Sequence, residues 1–199
     1  MKLLGVTDDR LSVDELTLHL LHTVPFLDAV ILREKSKSDE QLVDLVTRLA
    51  STEFPLDKLI LHARPHVARR LRLSKVQLTS YGMSLQDAHR EFPELTFGCS
   101  IHSLEEAKEA MSEGADWLLY GHVFDTASKP RLSARGTEEL FSIAQCSSIP
   151  VYAIGGIQPH HLSDLQQNHV AGVAVLSPMR SLKTLQSYRK GEVSHGEND

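Results

Sequence analysis

The chain has 199 residues, 41% of them hydrophobic and 24% charged, with a net charge of -5. That length suits one domain with a core of its own, and the mildly acidic balance supplies no basic field for nucleic acid. Two cysteines, Cys99 and Cys146, are too few for a disulfide framework, and no apolar run reaches the roughly 18 residues of a membrane span.

The opening run Met1 to Thr7 is apolar but meets Asp8-Asp9 too soon for a signal peptide, so a cytoplasmic protein with reduced thiols is expected. Leu3 to Thr7 reads as a buried strand. Ser12 with Glu15 then forms a capping box for a helix carrying Val13, Leu16, Leu20 and Leu21 at helical spacing. Phe26 to Leu32 is a second strand, and Ser38 opens a helix through Leu42, Leu45, Val46 and Leu49. Lys58 to His62 is a third strand, followed by a short helix from Pro65 to Leu71, where Arg69-Arg70-Leu71-Arg72 reads as a solvated face. Lys75 to Leu78 is a fourth strand, and Ser84 caps a helix ending before Pro93. Leu95 to Cys99 is a fifth strand, and Ser103 to Glu106 a capping box for a helix that Gly114 terminates. Asp116 to Tyr120 is the sixth strand and Gly136 to Cys146 the sixth helix. Pro150 to Ile154, then Pro159 to Gln167, form the seventh unit; Gly172 to Leu176, then Pro178 to Tyr188, form the eighth.

Eight strand–helix units at spacings of roughly 20 to 25 residues match a (β/α)8 TIM barrel in a single compact α/β domain, residues 1–190. An open doubly wound sheet would ordinarily show five or six strands. Residues 191–199 are polar and read as a flexible tail.

In such a barrel the chemistry sits at the C-terminal ends of the strands. Three stretches there stand out. Gly121-His122 ends the sixth strand and leads into a long loop carrying Thr126, Ser128 and Lys129. Gly155-Gly156 after the seventh strand and Ser177-Pro178 after the eighth each precede a helix. Those are the places where backbone N–H groups receive a phosphate in many barrels. Arg33, Lys35 and Arg64 lie at the ends of the second and third strands and suit a carboxylate, or else barrel-mouth ion pairs with Glu34 or Asp8. His62 and His66 are four apart, but Pro65 interrupts the helical geometry that a metal pair needs. His19, His22, His160 and His161 read as surface residues, His102 as a cap-region residue, and Cys99 as packing.

These residues, with Leu32-Arg33-Glu34-Lys35, Ser100-Ile101-His102-Ser103-Leu104-Glu105-Glu106-Ala107 and Gly121-His122-Val123-Phe124, resemble the thiamine-phosphate-synthase superfamily over about residues 1–188, and its TenI branch of thiazole tautomerases most closely. The resemblance implies a substrate pocket to which Ser100 contributes. The departures from the synthases carry as much meaning. The synthases' Asn-Asp-Arg run, with a magnesium-ligand aspartate, is here His62-Ala63-Arg64. Their second acidic motif is here Thr79-Ser80-Tyr81-Gly82. Their pyrophosphate-contacting glutamine is Ile31, and their Gly-Pro is Gly121-His122. Resemblance to the tautomerases implies isomerisation of an alkylidene dihydrothiazole carboxylate phosphate to the aromatic thiazole. It also implies His122 as proton carrier, a small-molecule thiazole phosphate as partner, and neither metal nor organic cofactor. The alternatives are a catalytically inactive, ligand-binding or regulatory relative, and a retained synthase. Homo-oligomers are compatible with every one of these readings; partners in nucleic acid or membrane are not expected.

Overall fold

The structure, a computed structural model, describes residues 1–126 and 133–190. Eight strands form a closed barrel: β1 (Lys2–Val6), β2 (Ala29–Leu32), β3 (Leu59–His62), β4 (Lys75–Leu78), β5 (Thr96–Ile101), β6 (Trp117–Gly121), β7 (Val151–Ile154) and β8 (Gly172–Val175). Each pairs in parallel with the next, and β8 closes onto β1 with Leu4 opposite Ala174. The helices are α1 (Val13–Thr23), α2 (Asp39–Ala50), α3 (Pro65–Leu71), α4 (Leu85–Glu91), α5 (Leu104–Ser112), α6 (Glu138–Cys146), α7 (Leu162–Gln167) and α8 (Leu182–Lys190). The barrel read from the sequence is present, and it fits into a short chain because α3 and α4 are only 7 residues long and α7 only 6.

Alternation along the strands divides the apolar residues into two cores. Val30, Leu32, Leu61, Val76 and Leu118 face outward and pack with helix residues such as Leu16, Leu45 and Ile143. Leu4, Val6, Ile31, Ile60, Trp117, Leu119 and Ala174 fill the barrel interior. Trp117 is the largest of these, and Gly98 on β5 makes room for it: a Cβ at Gly98 would lie 1.9 Å from the indole nitrogen. The indole N–H donates to Gln77 Oε1 at 2.8 Å, and Gln77 Nε2 donates to Ser100 Oγ at 3.2 Å. Ser100 Oγ donates in turn to the Leu78 carbonyl at 3.1 Å. A buried polar group without a partner would be costly here, and among the described residues every buried side-chain nitrogen and oxygen has one.

Local signals account for the helix starts. Ser12 with Glu15 and Ser38 with Gln41 form reciprocal capping boxes. At α5 only half the expected box forms: Ser103 accepts from the Glu106 N–H, but the Glu106 carboxylate reaches back to the N–H of His102, at 2.7 Å. Gly114, at φ +91°, ends α5 as its position suggests.

Three expected boundaries shift. Val24–Phe26, with Pro25 in its first turn, is a 3-10 turn, so β2 starts at Ala29. Pro159–His161 is likewise a 3-10 turn before α7. The expected last helix is two pieces, a 3-10 turn over Ser177–Arg180 and then α8. The break is at Ser181, whose backbone is extended and whose hydroxyl accepts from the Thr184 N–H at 3.3 Å. A serine that caps a new helix ends the turn before it.

The fit of Trp117 against Gly98 makes a test. Gly98→Ala should destabilise the barrel by about 2–3 kcal/mol by overpacking, read as a lowered urea midpoint. In a Trp117→Leu background the same substitution should cost measurably less.

Candidate active site at the barrel mouth

The exits of β6 and β7 are laid against each other. The pairing continues past the strands, with the Val123 N–H on the Ile154 carbonyl at 2.9 Å and the Phe124 N–H on the Gly155 carbonyl at 3.0 Å. Only glycines permit so close an approach. A Cβ on Gly155 would lie 2.3 Å from the His122 Cβ, and one on Gly156 2.4 Å from the Asp125 carbonyl oxygen. Both glycines also have positive φ, +105° and +65°. The peptide joining Gly121 to His122 is cis. The carbonyl of His122 accepts from the Arg135 N–H at 3.1 Å and that of Val123 from the Gly136 N–H at 3.0 Å. The Arg135 guanidinium donates to the His102 carbonyl at 2.9 Å, so His102 serves the cap region and the loop anchor.

His122 is only 4% exposed. It lines a cavity of about 410 Å3 whose wall also includes Arg33, Thr126, Gly155, Gly156 and Ser177. Six of the residues singled out from the sequence thus meet in one place. Val6, Ile154 and Ala174 give that cavity an apolar floor. Asp125 and Gln158 also line it and were not anticipated. Gln158 sits where the Gly155-Gly156 turn enters its 3-10 turn, and its N–H meets His161 Nδ1 at 3.1 Å. The ring of His161 stacks on Phe124 at 3.9 Å, so this histidine braces the β6 exit and is half-buried, where the sequence suggested a surface residue. The segments expected to present helix N-termini to an anion are 3-10 turns, whose first N–H groups are equally free of intrahelical partners.

The other sequence-derived candidates lie elsewhere. Ser100 belongs to the interior hydrogen-bond chain with Gln77 and is not on the cavity wall. Ser128 and Lys129 lie outside the described residues. Lys35 is exposed and is not on the cavity wall. Arg64 pairs with Asp39 at 3.0 Å and donates to the carbonyls of Glu34 and Lys35 at 3.5 and 3.4 Å, so it holds the β2–α2 loop in place. Glu34 and Asp8 do form ion pairs, but with other partners. Glu34 pairs with the buried Lys37, which also donates to the Leu11 carbonyl at 2.7 Å, and Asp8 pairs with Arg180 at 2.8 Å.

His62 is the unplanned member of this end of the barrel. It follows Ile60 by two, so it faces inward at the tip of β3. Burial, and after it the charges of Arg33, Lys35 and Arg64, push its pKa down to about 4, so it is neutral at pH 7. His66, four residues on, bonds Asp39 at 2.7 Å on the outer side, and the two histidines do not converge. Burial pushes the Cys99 thiol up to about 11, which removes it as a nucleophile.

A magnesium–pyrophosphate site needs hard oxygen ligands. The positions where the synthases carry them hold Ala63, at φ +60°, and Thr79-Ser80-Tyr81-Gly82. Among the described residues no group of three His, Cys, Asp or Glu is gathered for a metal ion. These positions supply no carboxylate, and Arg33, Lys35 and Arg64 lie near enough to His62, beside Ala63, to lower its pKa. No helix among the described residues is long and apolar enough to cross a membrane.

Comparison with known proteins agrees with this geometry at the level of family. The TMP-TENI family model, described as thiamine monophosphate synthase, matches residues 3–179. Relatives called thiamine-phosphate synthase include one from Pyrococcus furiosus, 34% identical over 150 residues, covering 75% of this chain and 72% of that one. Another, from Clostridium perfringens, is 31% identical over 181 residues and covers 89% of this chain and 87% of its own. The solved thiamine phosphate pyrophosphorylase from Pyrococcus furiosus superposes with a TM-score of 0.79 at 29% identity, covering 98% of this chain and 97% of that one. A 3-hexulose-6-phosphate synthase shares the fold at TM-score 0.74 and 11% identity, covering 96% of this chain and 99% of that one. With the family match spanning nearly the whole barrel, the chain belongs to the thiamine monophosphate synthase family and is placed by it in thiamine biosynthesis.

Proposed function

We propose that this family member is a thiazole tautomerase, an isomerase that converts an alkylidene dihydrothiazole carboxylate phosphate into the aromatic thiazole carboxylate phosphate. The observation that carries the reading is the buried imidazole of His122 facing the same cavity as Gly155, Gly156 and Ser177. The phosphate rests on the backbone of those loops, where N–H groups and close glycine approach favour an anion. The ring lies over Val6, Ile154 and Ala174, and the carboxylate turns toward Arg33.

Neutral His122 takes the proton from the ring carbon that bears the carboxylate. The electron pair left behind moves through the conjugated system to the exocyclic carbon, and the imidazolium returns its proton there. Atoms and charge balance with no oxidant, metal or second substrate, and the gain of aromaticity drives the step. An imidazole near pH 7 suits both halves of such a shuttle. Anchoring at the phosphate holds the reacting carbon in place and contributes several kcal/mol more by orientation.

A second reading, condensation by a retained synthase, is favoured by the names of the relatives. Against it stand the residues at 63 and 79–82, which offer no carboxylate for magnesium.

Three outcomes separate the readings. His122→Ala and His122→Gln should each lower turnover of the dihydrothiazole isomer by about 10²- to 10⁴-fold while product affinity stays within a few-fold. Absorbance of the aromatic product reports the first and calorimetry the second; near wild-type turnover in both variants rules out His122 as the base. The unaltered protein should not join a pyrimidine pyrophosphate to thiazole phosphate at any magnesium concentration. A magnesium-dependent rate would restore the synthase reading. Removing the phosphate from the product should weaken its binding far more than removing the carboxylate, and equal affinity for the dephosphorylated analogue would reduce the glycine loops to turns.

A further inference from the structure

One titratable group at the barrel mouth has no part in the proton shuttle. His62 ends β3, with its Cα paired to that of Gln77 on β4, and faces the interior. Three cations act on it: Arg33 and Lys35 from the segment after β2, and Arg64 from its own loop. On the β4 side its neighbour Gln77 is uncharged and committed to Trp117 and Ser100. Asp39 on α2 is turned to Arg64 and His66, and Glu34 to Lys37. Arg33 and Lys35 make no ion pair among the described residues, so the cluster has positive charge to spare. Arg33 belongs both to this cluster and to the wall of the cavity that holds His122. The cluster therefore adjoins the cavity, away from the glycine loops.

We propose that His62 is a binding residue for the substrate's carboxylate, which it meets together with Arg33 as the imidazolium, taking up one proton from solvent as the ligand binds. The inference rests on the tautomerase reading for the identity of that carboxylate. The physical reason is mutual. Burial, and after it three positive neighbours, hold the imidazole neutral. A carboxylate placed among the same cations cancels their repulsion and gives a protonated ring a partner. Binding and protonation then favour each other, as linkage requires. The carboxylate itself stays ionised through this range, so the proton goes to His62. A ligand without the carboxylate leaves the cations unscreened and His62 neutral. The cluster thus reads the carboxylate as a specificity element, and the phosphate loops alone would not distinguish the two ligands.

The test uses the full chain and two ligands, the thiazole carboxylate phosphate and the thiazole phosphate lacking the carboxylate. The His62 Cε1–H resonance, assigned by its loss in His62→Asn, should titrate at about 4 in the free protein and rise by about one unit or more with the carboxylated ligand only. Calorimetry in two buffers of different ionisation enthalpy, at a pH between the free and bound values, should show proton uptake with that ligand beyond any seen with the other. Its affinity should fall by up to about tenfold per pH unit as pH rises between the free and bound values of His62. The comparison cancels the protons taken up or released by the phosphate, which both ligands share. In His62→Asn the excess uptake should vanish while the phosphate-only ligand binds as before. A His62 resonance that does not move, or moves equally with both ligands, overturns the proposal. Binding of neither ligand overturns this inference and the tautomerase reading together. A His62 response without turnover of the isomer rejects only the latter.

Discussion

The barrel mouth is governed by the contact between two backbones, the exit of β7 pressed against the exit of β6. Gly155 occupies space that a Cβ would contest with His122, and Gly156 does the same against Asp125. Two main-chain hydrogen bonds beyond the strands then fix the register. Because the imidazole is attached to this doubly held stretch, its point of attachment is set by covalent geometry and sheet pairing, and its burial limits the rotamers left to it. The same glycines expose the backbone to the cavity. One local device therefore positions a titratable ring and leaves open a surface suited to an anion.

The two sides of the mouth differ in how they present positive potential. Toward β7 and β8 it comes from peptide dipoles at Gly155, Gly156 and the turn at Ser177, and those loops place no charged side chain on the cavity wall. Toward β2 and β3 it comes from full charges on Arg33, Lys35 and Arg64, with His62 kept neutral among them. Dipoles fixed in a rigid turn need no reorganisation when an anion arrives, whereas mobile cations lose freedom on ordering. The dipolar side therefore suits an anchor and the charged side a contact that discriminates. Buried Lys37, joined to Glu34, Asp9 and the Leu11 carbonyl, ties the first two strand–helix loops together behind the cations.

Much of this was legible in the sequence. Eight apolar runs separated by helices specify the barrel because every strand is covered on both sides and most helix starts carry a serine or proline, α6 with Thr137 being the exception. His122, the glycine pair and Ser177 were legible because the fold assigns chemistry to one end of the strands. What escaped has local physical causes. A 3-10 turn and an α-helix begin with the same proline, so only the extended backbone at Ser181 separates them. Ser100 looked like a pocket residue, but the interior needed its hydroxyl to complete the chain from Trp117 through Gln77. Lys37 looks like one more loop lysine until Glu34 is seen beneath it. His62 was readable from strand parity, two residues past Ile60, yet its neutrality depends on cations from two different loops.

The way the long connection after β6 is fastened has an entropic corollary. The chain leaves the barrel at His122-Val123 and is back at the same two carbonyls by Arg135-Gly136. Departure and return are thus stitched together at the root, and whatever lies between is an excursion from a closed base. The entropy of closing such an excursion grows only with the logarithm of its length. The two stitches, and not the length between them, are therefore what fixes the backbone that carries His122.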